Sequence, residues 1–264
     1  MALDGGKNAF NGKLAKWIIG LMPAHIHYVE PYLGGGAVLL HKAHNGISEV
    51  VNDLDGDLSN FWQILATTPD RMLRELWGTP FSEEVWQAAE AGLADDDRVR
   101  RATAFFIRCR QSRQGLCKDF ATLSRTRTRR GMNEQVSSWL TAIEGLPEVH
   151  DRLKRVVIFN RDALGVIREQ DGEQTCFYLD PTYFHETRGS VGEYKHEMTV
   201  GDHQNLLTLL CHVQGSFLLS GYRSPLYDNF AERQGWTRHE FSIVNNASSS
   251  KKKETKTECV WTNY

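Results

Sequence analysis

Hydrophobic and polar residues alternate in blocks that predict strands followed by helices. Val29–Leu40 starts as an apolar strand, passes through three glycines and continues as an apolar helix. Glu49–Asp53 predicts a second strand. The helix expected after it has apolar residues at helical spacing, namely Leu58, Phe61, Trp62 and Leu65. The first part of the chain is therefore predicted to contain two strand–helix units.

The strand–helix alternation stops after Pro69 and resumes near Arg155. Residues 68–150 are charge-rich and predicted to be mainly helical. Further strands are then predicted at Arg155–Phe159, Cys176–Leu179, Ser216–Ser220 and Glu258–Trp261, with a helix at Asp202–Cys211. Such alternation predicts an α/β protein with a doubly wound, mostly parallel sheet. We predict a core of residues 1–67 and 151–264, an inserted domain of residues 68–150, and a polar loop over 247–253.

Composition is that of an ordinary globular protein. The chain has 264 residues, of which 41% are hydrophobic and 24% charged. Its longest apolar stretch is far shorter than the roughly 20 residues of a transmembrane helix, and the N-terminus lacks the pattern of a secretion signal. We therefore expect a cytoplasmic protein. The cysteines lack metal-binding spacing, which predicts reduced, mostly buried thiols and no metal site.

Positive charge is concentrated in one segment. The formal net charge is −2, yet Arg98–Arg130 is rich in arginine and contains a single acidic residue, Asp119. Such a segment favours contact with phosphates, although an ordinary solvated surface is the alternative. Arg125–Gly131 predicts a hairpin or loop within it. The residues predicted to bind nucleic acid are Arg110, Arg113, Arg125, Arg127, Arg129 and Arg130.

Three motifs carry candidate chemistry. The glycines at 34–36 allow a ligand to approach the backbone closely, although alone they are a weak signal. Asp53 follows the second strand, where a carboxylate can accept both ribose hydroxyls of an adenosine-containing cofactor, or can instead cap the next helix. Asp180–Tyr183 follows an apolar strand, where open α/β sheets place their active sites, although an Asp-Pro pair can also form a simple turn.

Together the motifs resemble the Dam-like class of DNA adenine methyltransferases, in particular its phage and prophage branch. Glu30–Gly36 is similar to the cofactor motif of that family, Asn52–Leu54 to its ribose-binding motif and Asp180–Tyr183 to its catalytic motif. The family places a target-recognition insertion between the last two motifs, which agrees with the inserted domain. Further similar blocks occur at 185–188 and 194–199, so the resemblance spans nearly the whole chain.

The resemblance implies a Rossmann-like enzyme that transfers a methyl group from S-adenosylmethionine to the N6 atom of a flipped-out adenine in duplex DNA. Asp162 would accept a hydrogen bond from the cofactor adenine, Glu30 would meet its methionine amino group, and either Lys7 or Lys13 would lie near it. The full set of implied cofactor residues is Lys7, Lys13, Glu30, Pro31, Tyr32, Gly34, Gly35, Gly36, Asp53, Asp162 and Asp180.

The catalytic residues would be Asp180, Pro181 and Tyr183. The carboxylate and the proline carbonyl are suitable acceptors for the two N–H bonds of the target amine, and the aromatic ring can stack on the flipped base. The commonest form of the family motif has a second proline where this chain has Thr182. Since proline fixes φ, we expect the threonine to relax the motif.

Two alternatives stay open on the residues alone. Methylation of the exocyclic amine of cytosine would use the same acceptors, so adenine is favoured by the resemblance and not by the chemistry. A catalytically impaired relative could keep the basic insertion and bind DNA only. A monomer and a role in restriction–modification or phage protection are expectations, and the target sequence is not predicted.

Overall fold

The computed structural model describes residues 9–183, 196–244 and 255–264. Lys7, the similar blocks at 185–188 and 194–195, and the predicted loop at 247–253 lie outside the described residues. The described residues form two compact units. The first contains residues 9–15, 34–42 and 55–160, and the second contains 16–33, 43–54, 161–183, 196–244 and 255–264. The predicted insertion falls within the first unit, and its boundaries stay a prediction.

The regular elements follow the hydrophobic pattern. The helices are α1 Ala9–Leu21, α2 Ala37–His41, α3 Gly56–Thr67, α4 Pro69–Trp77, α5 Glu83–Gly92, α6 Arg98–Arg110, α7 Glu134–Leu153, α8 Ala163–Gln170, α9 Val200–Leu210 and α10 Pro225–Gln234. The strands are β1 His27–Glu30, β2 Ser48–Asn52, β3 Thr128–Arg129, β4 Met132–Asn133, β5 Val157–Phe159, β6 Thr175–Leu179, β7 Ser216–Gly221, β8 Thr237–Val244 and β9 Thr255–Thr262. The predicted strands are confirmed, whereas α8, α10 and β8 were not predicted.

A large, mostly parallel sheet organises the second unit. Six of its seven strands belong to this unit, in the order β2-β1-β6-β7-β9-β8, and the seventh, β5, is counted with the first unit. Strands β2, β1, β6 and β7 are parallel, with Val29 opposite both Val50 and Phe177. Strand β9 pairs antiparallel with β7 and β8. Every residue of β6 is buried, as expected for a strand covered on both faces.

The connections of this sheet create a position suited to ligand binding. From β1 the chain passes to β2 on one side, whereas β6 and β7 extend the sheet on the other side. The strand order therefore reverses between β1 and β6. In open α/β sheets, ligands bind beside the carboxyl ends of the strands at such a reversal. Glu30 ends β1 and Asp180 directly follows β6, so both lie at this position.

Helices dominate the first unit, and aromatic residues fill its core. The rings of Phe61 and Phe106 stack with centroids 5.5 Å apart, and the Trp139 ring lies 5.6 Å from that of Phe106. Trp62 donates its indole N–H to the carbonyl oxygen of Gly34 at 3.1 Å, which holds the glycine turn against α3. The apolar residues predicted on the helix after Asp53 are therefore core residues.

Further expectations from composition can be compared with the described residues. All five cysteines lie in the described residues and are free thiols, as predicted. Cys109, Cys176 and Cys259 are buried. Across the described ranges, no helix is long and apolar enough to span a membrane. Within the same ranges, no three His, Cys, Asp or Glu residues are grouped so that they could hold a metal ion.

Candidate active site

Asp180 lies at the carboxyl edge of the sheet because of the register of β6. Tyr178 pairs with Leu218 and Leu179 with Leu219, so Asp180 comes level with Ser220 at the end of β7. On the other side, the pairing of Val29 with Phe177 brings Glu30 of β1 to the same edge. The sheet therefore places two acidic side chains and a serine of three neighbouring strands at one edge.

The buried amide of Asn52 ties together the segments that follow three strands. Its Nδ2 donates to the carbonyl oxygens of Pro31 and Arg161, both at 3.0 Å, and its Oδ1 accepts the backbone N–H of Arg161 at 2.9 Å. Its own carbonyl accepts the N–H of Leu33 at 2.9 Å. Asn52 is fully buried, and its hydrogen bond to Pro31 is shielded from water, whereas its bonds to Arg161 are part-buried. The segments that contain Pro31, Asp53 and Asp162 are thereby held in a common arrangement.

Asp53 is not the N-cap of α3. The N-cap of α3 is Asp55, whose carboxylate accepts the N–H of Asp57 at 3.0 Å, so the alternative reading of Asp53 as the helix cap is wrong. Asp162 does cap a helix, because its Oδ2 accepts the N–H of Gly165 at 2.8 Å. One of its two oxygens is thus used locally, and the residue is exposed.

Glu30 is a buried carboxylate with a defined partner. It is 2% exposed, and its Oε2 accepts the hydroxyl hydrogen of Tyr28 at 2.8 Å. Desolvation first, and then the neighbouring Glu30, raise the pKa of Tyr28 well above its usual value, so the phenol stays protonated and remains a donor. This contact fixes one oxygen of Glu30 and orients the carboxylate at the strand end.

Two further tyrosines line the same part of the second unit. Burial raises the pKa of Tyr32, and the carboxylates of Asp162 and Asp202 add to the effect. Burial also raises the pKa of Tyr227, with smaller contributions from Tyr32 and Asp180. Tyr227 is held by a contact of 2.9 Å between its hydroxyl and Nδ1 of buried His203. The electrostatic couplings place Asp162, Tyr32, Tyr227 and Asp180 in one neighbourhood.

Asp180 ionises less readily than an ordinary aspartate. Its surroundings raise its pKa to about 6 through desolvation, while hydrogen bonds from Tyr183 and Tyr178 pull the value back. The residue is nevertheless exposed. The desolvation therefore comes from the protein around the carboxylate and not from complete exclusion of water. At neutral pH the carboxylate is mostly ionised and can accept hydrogen bonds.

Thr182 and Tyr183 of the predicted catalytic motif each contact a residue outside the motif. The ring of Tyr183 meets that of Tyr222 edge-on, with centroids 4.7 Å apart. The hydroxyl of Thr182 accepts the backbone N–H of Met198 at 3.1 Å. A proline at this position could not make that hydrogen bond. The expected loss of restraint at Thr182 is therefore offset, at least in part, by a contact that its side chain provides.

The glycine turn and Lys13 belong to the first unit. Gly34 has φ 50° and Gly36 has φ 66°, in the region that glycine adopts without a steric cost. Gly36 precedes α2, which has only five residues. Lys13 is an exposed residue of α1.

Part of the basic segment has a structural role. Arg108 is 8% exposed, its guanidinium carbon lies 3.5 Å from the centre of the Trp86 ring, and it forms an ion pair of 2.7 Å with Glu90. Arg98 donates to the side chains of Asn60 and Gln63 on α3. These arginines hold helices of the first unit together. They are therefore poor candidates for nucleic-acid contact.

The predicted hairpin is confirmed and packs on α7. Strands β3 and β4 pair antiparallel through a two-residue turn, in which Arg130 and Gly131 have φ 57° and 76°. Arg130 forms a bidentate ion pair with Glu144 at 2.9 and 2.8 Å. Asn133 caps α7 by accepting the N–H of Gln135 at 2.9 Å. Arg130 thus anchors the hairpin.

The other predicted nucleic-acid residues differ in their availability. Arg127 lies 3.9 Å from Glu134, and Arg110 is half-buried. Arg113, Arg125 and Arg129 are exposed, and no acidic side chain in the described ranges pairs with them. These three side chains are the most available for contact with phosphates.

Several residues of the site were not predicted from the sequence. Tyr28, Tyr178, Ser220 and Tyr227 lie in apolar strands or helices, where polar side chains are easily read as tolerated core residues. The available signal was the presence of a hydroxyl group in an otherwise apolar run. A buried hydroxyl needs a partner, so each such residue marks a polar neighbour.

The whole-chain comparison identifies the family. Residues 5–247 match the family described as D12 class N6 adenine-specific DNA methyltransferase. The match covers most of the chain, so this protein belongs to that family. It is accordingly a DNA adenine-N6 methyltransferase that uses a methyl donor of the S-adenosylmethionine type.

The other comparisons add less. No curated protein matches this chain. Among solved structures, the chain is similar to a protein from Pyrococcus horikoshii assigned as an RNA methyltransferase, with 11% identity and coverage of 96% of this chain and 82% of that one. The TM-score is 0.41, too low for any argument to rest on this likeness. The mostly parallel sheet and the family are consistent with a Rossmann-like methyltransferase.

We predict that Asn52→Ala destabilises the protein by about 3 kcal/mol, because it leaves the buried carbonyl of Pro31 and the part-buried backbone groups of Arg161 without their partner. Cofactor affinity should fall about tenfold, since the segments that Asn52 joins contain the candidate cofactor residues. Urea unfolding and calorimetric titration with S-adenosylmethionine measure the two effects. The control is Asn60→Ala, which removes a buried amide bonded to Arg98. This variant should destabilise the protein without lowering its affinity for the cofactor. Equal cofactor affinities in wild type and Asn52→Ala would contradict the assignment.

We predict that Asp180→Asn raises thermal stability at pH 8. The pKa of Asp180 is 3.8 in the unfolded chain and about 6 in the folded protein. Ionisation of Asp180 therefore opposes folding, and the effect is complete above about pH 6. Discounted for exposure, the cost is about 1 kcal/mol, or about 2–4 °C in Tm. The gain should be complete above pH 6 and disappear as the pH falls towards 3.8. Exposed Asp96→Asn controls for charge, and a lower Tm for Asp180→Asn at pH 8 would contradict the prediction.

Proposed function

We propose that the carboxyl edge of β1, β2 and β6 binds S-adenosylmethionine and that Asp180, Pro181 and Tyr183 act on a flipped-out adenine. The observation that carries this proposal is the position of Asp180 where the strand order reverses, with its carboxylate hydrogen-bonded by two tyrosines. The chemistry then follows from the family activity, adenine-N6 methylation.

The side chains of this edge have the chemistry that the cofactor requires. S-adenosylmethionine presents a cationic amino group, a ribose diol and an adenine amino group, all hydrogen-bond donors. Glu30, Asp53 and Asp162 offer carboxylate acceptors, and Asn52 holds the segments that contain them. We assign the amino group to Glu30, the ribose to Asp53 and the adenine amino group to the remaining oxygen of Asp162, with Tyr32 beside it. Pro31 completes the proposed set in the second unit, whereas Lys13, Gly34, Gly35 and Gly36 belong to the first unit and stay predictions.

The proposed catalytic residues stabilise charge without a metal. When bound, the cofactor supplies an electrophilic methyl group on a sulfonium. As the new N–C bond forms and the S–CH3 bond breaks, the positive charge passes from sulfur, which leaves as a neutral thioether, to the adenine amino nitrogen, which then loses one proton. The carboxylate of Asp180 and the carbonyl oxygen of Pro181 accept its two N–H bonds and favour that charge. Asp180 is ionised above pH 6, so it can serve as this acceptor at neutral pH.

A flipped base needs a flat surface to rest on. Base flipping is required because an adenine inside a duplex cannot reach such a residue. Tyr183 is the last residue of the motif, and the ring of Tyr222 packs edge-on against its ring, with centroids 4.7 Å apart. We propose that Tyr222 fixes the ring of Tyr183 in the orientation that stacks on the base. The hydroxyl of Tyr183 also bonds Asp180, which links the stacking ring to the acceptor.

We propose that the insertion at residues 68–150 recognises DNA through its hairpin and the loop after α6. Arg129 lies in strand β3 of the hairpin and Arg125 lies three residues before that strand, and Arg130 and Asn133 fix the hairpin to α7. Arg113 contributes from the loop. Arg110 and Arg127 have secondary roles, and Arg130 supports the hairpin. The proposed partners are thus double-stranded DNA and the cofactor. A monomeric state and a role in restriction–modification or phage protection stay predictions.

The direct test of the proposed function is transfer of tritiated methyl from S-adenosylmethionine to mixed-sequence duplex DNA, followed by digestion to nucleosides. Wild type should label N6-methyladenine. Asp180→Ala should lose at least about 100-fold in rate, as when one charge-stabilising group is removed. Exposed Asp96→Ala is the matched control. Undiminished labelling by Asp180→Ala would overturn the catalytic assignment, and absence of label in wild type would overturn the activity.

The DNA interface has its own test. We predict that Arg125→Ala/Arg129→Ala weakens binding to duplex DNA about tenfold and makes the dependence of log K on log salt shallower by about 1 to 2, because phosphate contacts are lost. Fluorescence anisotropy at several salt concentrations measures both quantities. Arg74→Ala/Arg155→Ala removes the same charge from exposed positions of the first unit and should have a smaller effect. An equal loss in both variants would exclude the hairpin as the interface.

A further inference from the structure

Tyr178 carries a hydroxyl group within the mainly apolar strand β6, which begins at the polar residue Thr175. Its neighbours in β6 are Cys176, Phe177 and Leu179, and the tyrosine itself is 4% exposed. Side chains alternate along a strand, so Tyr178 and Asp180 lie on the same face of the sheet. A phenylalanine would fill the same volume without burying a hydroxyl. A buried hydroxyl requires a hydrogen-bond partner, which a phenylalanine at this position would not.

The hydroxyl of Tyr178 takes part in a directed chain of hydrogen bonds. Ser220, which is 3% exposed and level with Asp180 in the sheet, donates its hydroxyl hydrogen to the oxygen of Tyr178 at 3.2 Å. The phenol oxygen thereby serves as acceptor, and its own hydrogen is left to donate to the carboxylate of Asp180. The order of donors and acceptors is thus Ser220, Tyr178, Asp180.

Burial keeps this chain in one protonation state. Desolvation raises the pKa of Tyr178 well above its usual value, and the negative charge of Asp180 adds to the effect. The phenol therefore remains a hydrogen-bond donor at every pH at which the protein works. Donation from Ser220 polarises the phenol O–H and strengthens its bond to the carboxylate.

We propose that Tyr178, oriented by Ser220, is a positioning residue that aims the carboxylate of Asp180 at the target amine and keeps it ionised. The proposal rests on the proposed role of Asp180. Tyr178 does not touch the reacting atoms. It acts through Asp180, and it uses a hydrogen bond made from inside the sheet, whereas Tyr183 approaches the same carboxylate from the segment after β6.

Other ionisable groups also face this part of the site. Glu30 of β1 and Glu258 of β9 interact electrostatically with Tyr178, and Tyr227 of α10 interacts with Asp180. Tyr183 donates to Asp180 and also bonds Glu258. The carboxylates of Glu30 and Glu258 raise the pKa of Tyr178 and so help to keep it a neutral donor.

The consequence is a specific change in the titration of Asp180. Removal of the Tyr178 hydroxyl takes away a hydrogen bond to the ionised form, so the pKa of Asp180 should rise further, by roughly one unit. At pH 6.5 the ionised fraction would then fall about threefold, whereas at pH 8.5 it would barely change. A loss that grows as the pH falls is not expected from a simple packing defect.

The test is a carbon-13 NMR titration of the Asp180 side-chain carboxyl in the full chain, assigned by comparison with Asp180→Asn. Tyr178→Phe should move the midpoint upwards by roughly one pH unit, and Ser220→Ala should move it the same way by less. Tyr264→Phe is the matched control, since it removes one hydroxyl of the same unit that bonds only the Leu21 carbonyl at 2.7 Å. It should leave the midpoint unchanged.

The rate of methyl transfer supplies a second readout at saturating DNA and cofactor. For Tyr178→Phe the acidic limb of kcat should shift with the NMR midpoint, giving about a threefold loss at pH 6.5 and near wild-type rates at pH 8.5. An unmoved midpoint in folded Tyr178→Phe would overturn the inference and leave the role of Asp180 intact. A shifted midpoint in a protein that does not methylate DNA would keep the inference and overturn the proposed function.

Discussion

The buried amide of Asn52 is the interaction on which the candidate site depends. Parallel strands deliver their last residues to one edge, but the segments beyond them have no backbone ladder to fix them. Asn52 supplies that restraint by bonding the backbone of Pro31 and Arg161 and by accepting from Leu33 through its own carbonyl. Because Asn52 and Pro31 are shielded from water, the bond between them is costly to break. The carboxylates beside them are thereby held without a rigid element of their own.

The carboxylates that the reaction needs in ionised form lower the stability of the folded protein. Glu30 and Asp180 bring negative charge to one edge of a buried sheet, and desolvation raises the pKa of Asp180 to about 6. Neutral tyrosines limit the cost: Tyr28 donates to Glu30, while Tyr178 and Tyr183 donate to Asp180. Donors that cannot ionise under working conditions stabilise a carboxylate without cancelling its charge. Such an acceptor keeps its full charge for the amine that becomes cationic during methyl transfer.

The arginines of the first unit show that residue type does not define a role. Arg108 stacks on Trp86 and is buried, and Arg130 forms an ion pair that holds the hairpin to Glu144. Arg129 in the hairpin and Arg125 just before it are exposed. A guanidinium can pack, clamp or bind phosphate because it combines a flat ring-like surface with several donors. The charge density of the segment therefore overstates the number of side chains available to DNA.

The order of strand, glycine turn, second strand and Asp-Pro strand end was legible in the sequence, because apolar runs and breakers are local signals. The α/β class and the strands that precede Asp53 and Asp180 were determined there, whereas the pattern near Arg130 allowed either a hairpin or a loop. Only the tertiary structure decided that Asp55, and not Asp53, caps α3, that Thr182 bonds Met198, and that Asn52, Tyr178 and Ser220 support the site. Those roles depend on contacts between residues far apart in the chain, and a polar residue in an apolar run does not reveal its partner until the strands are in register.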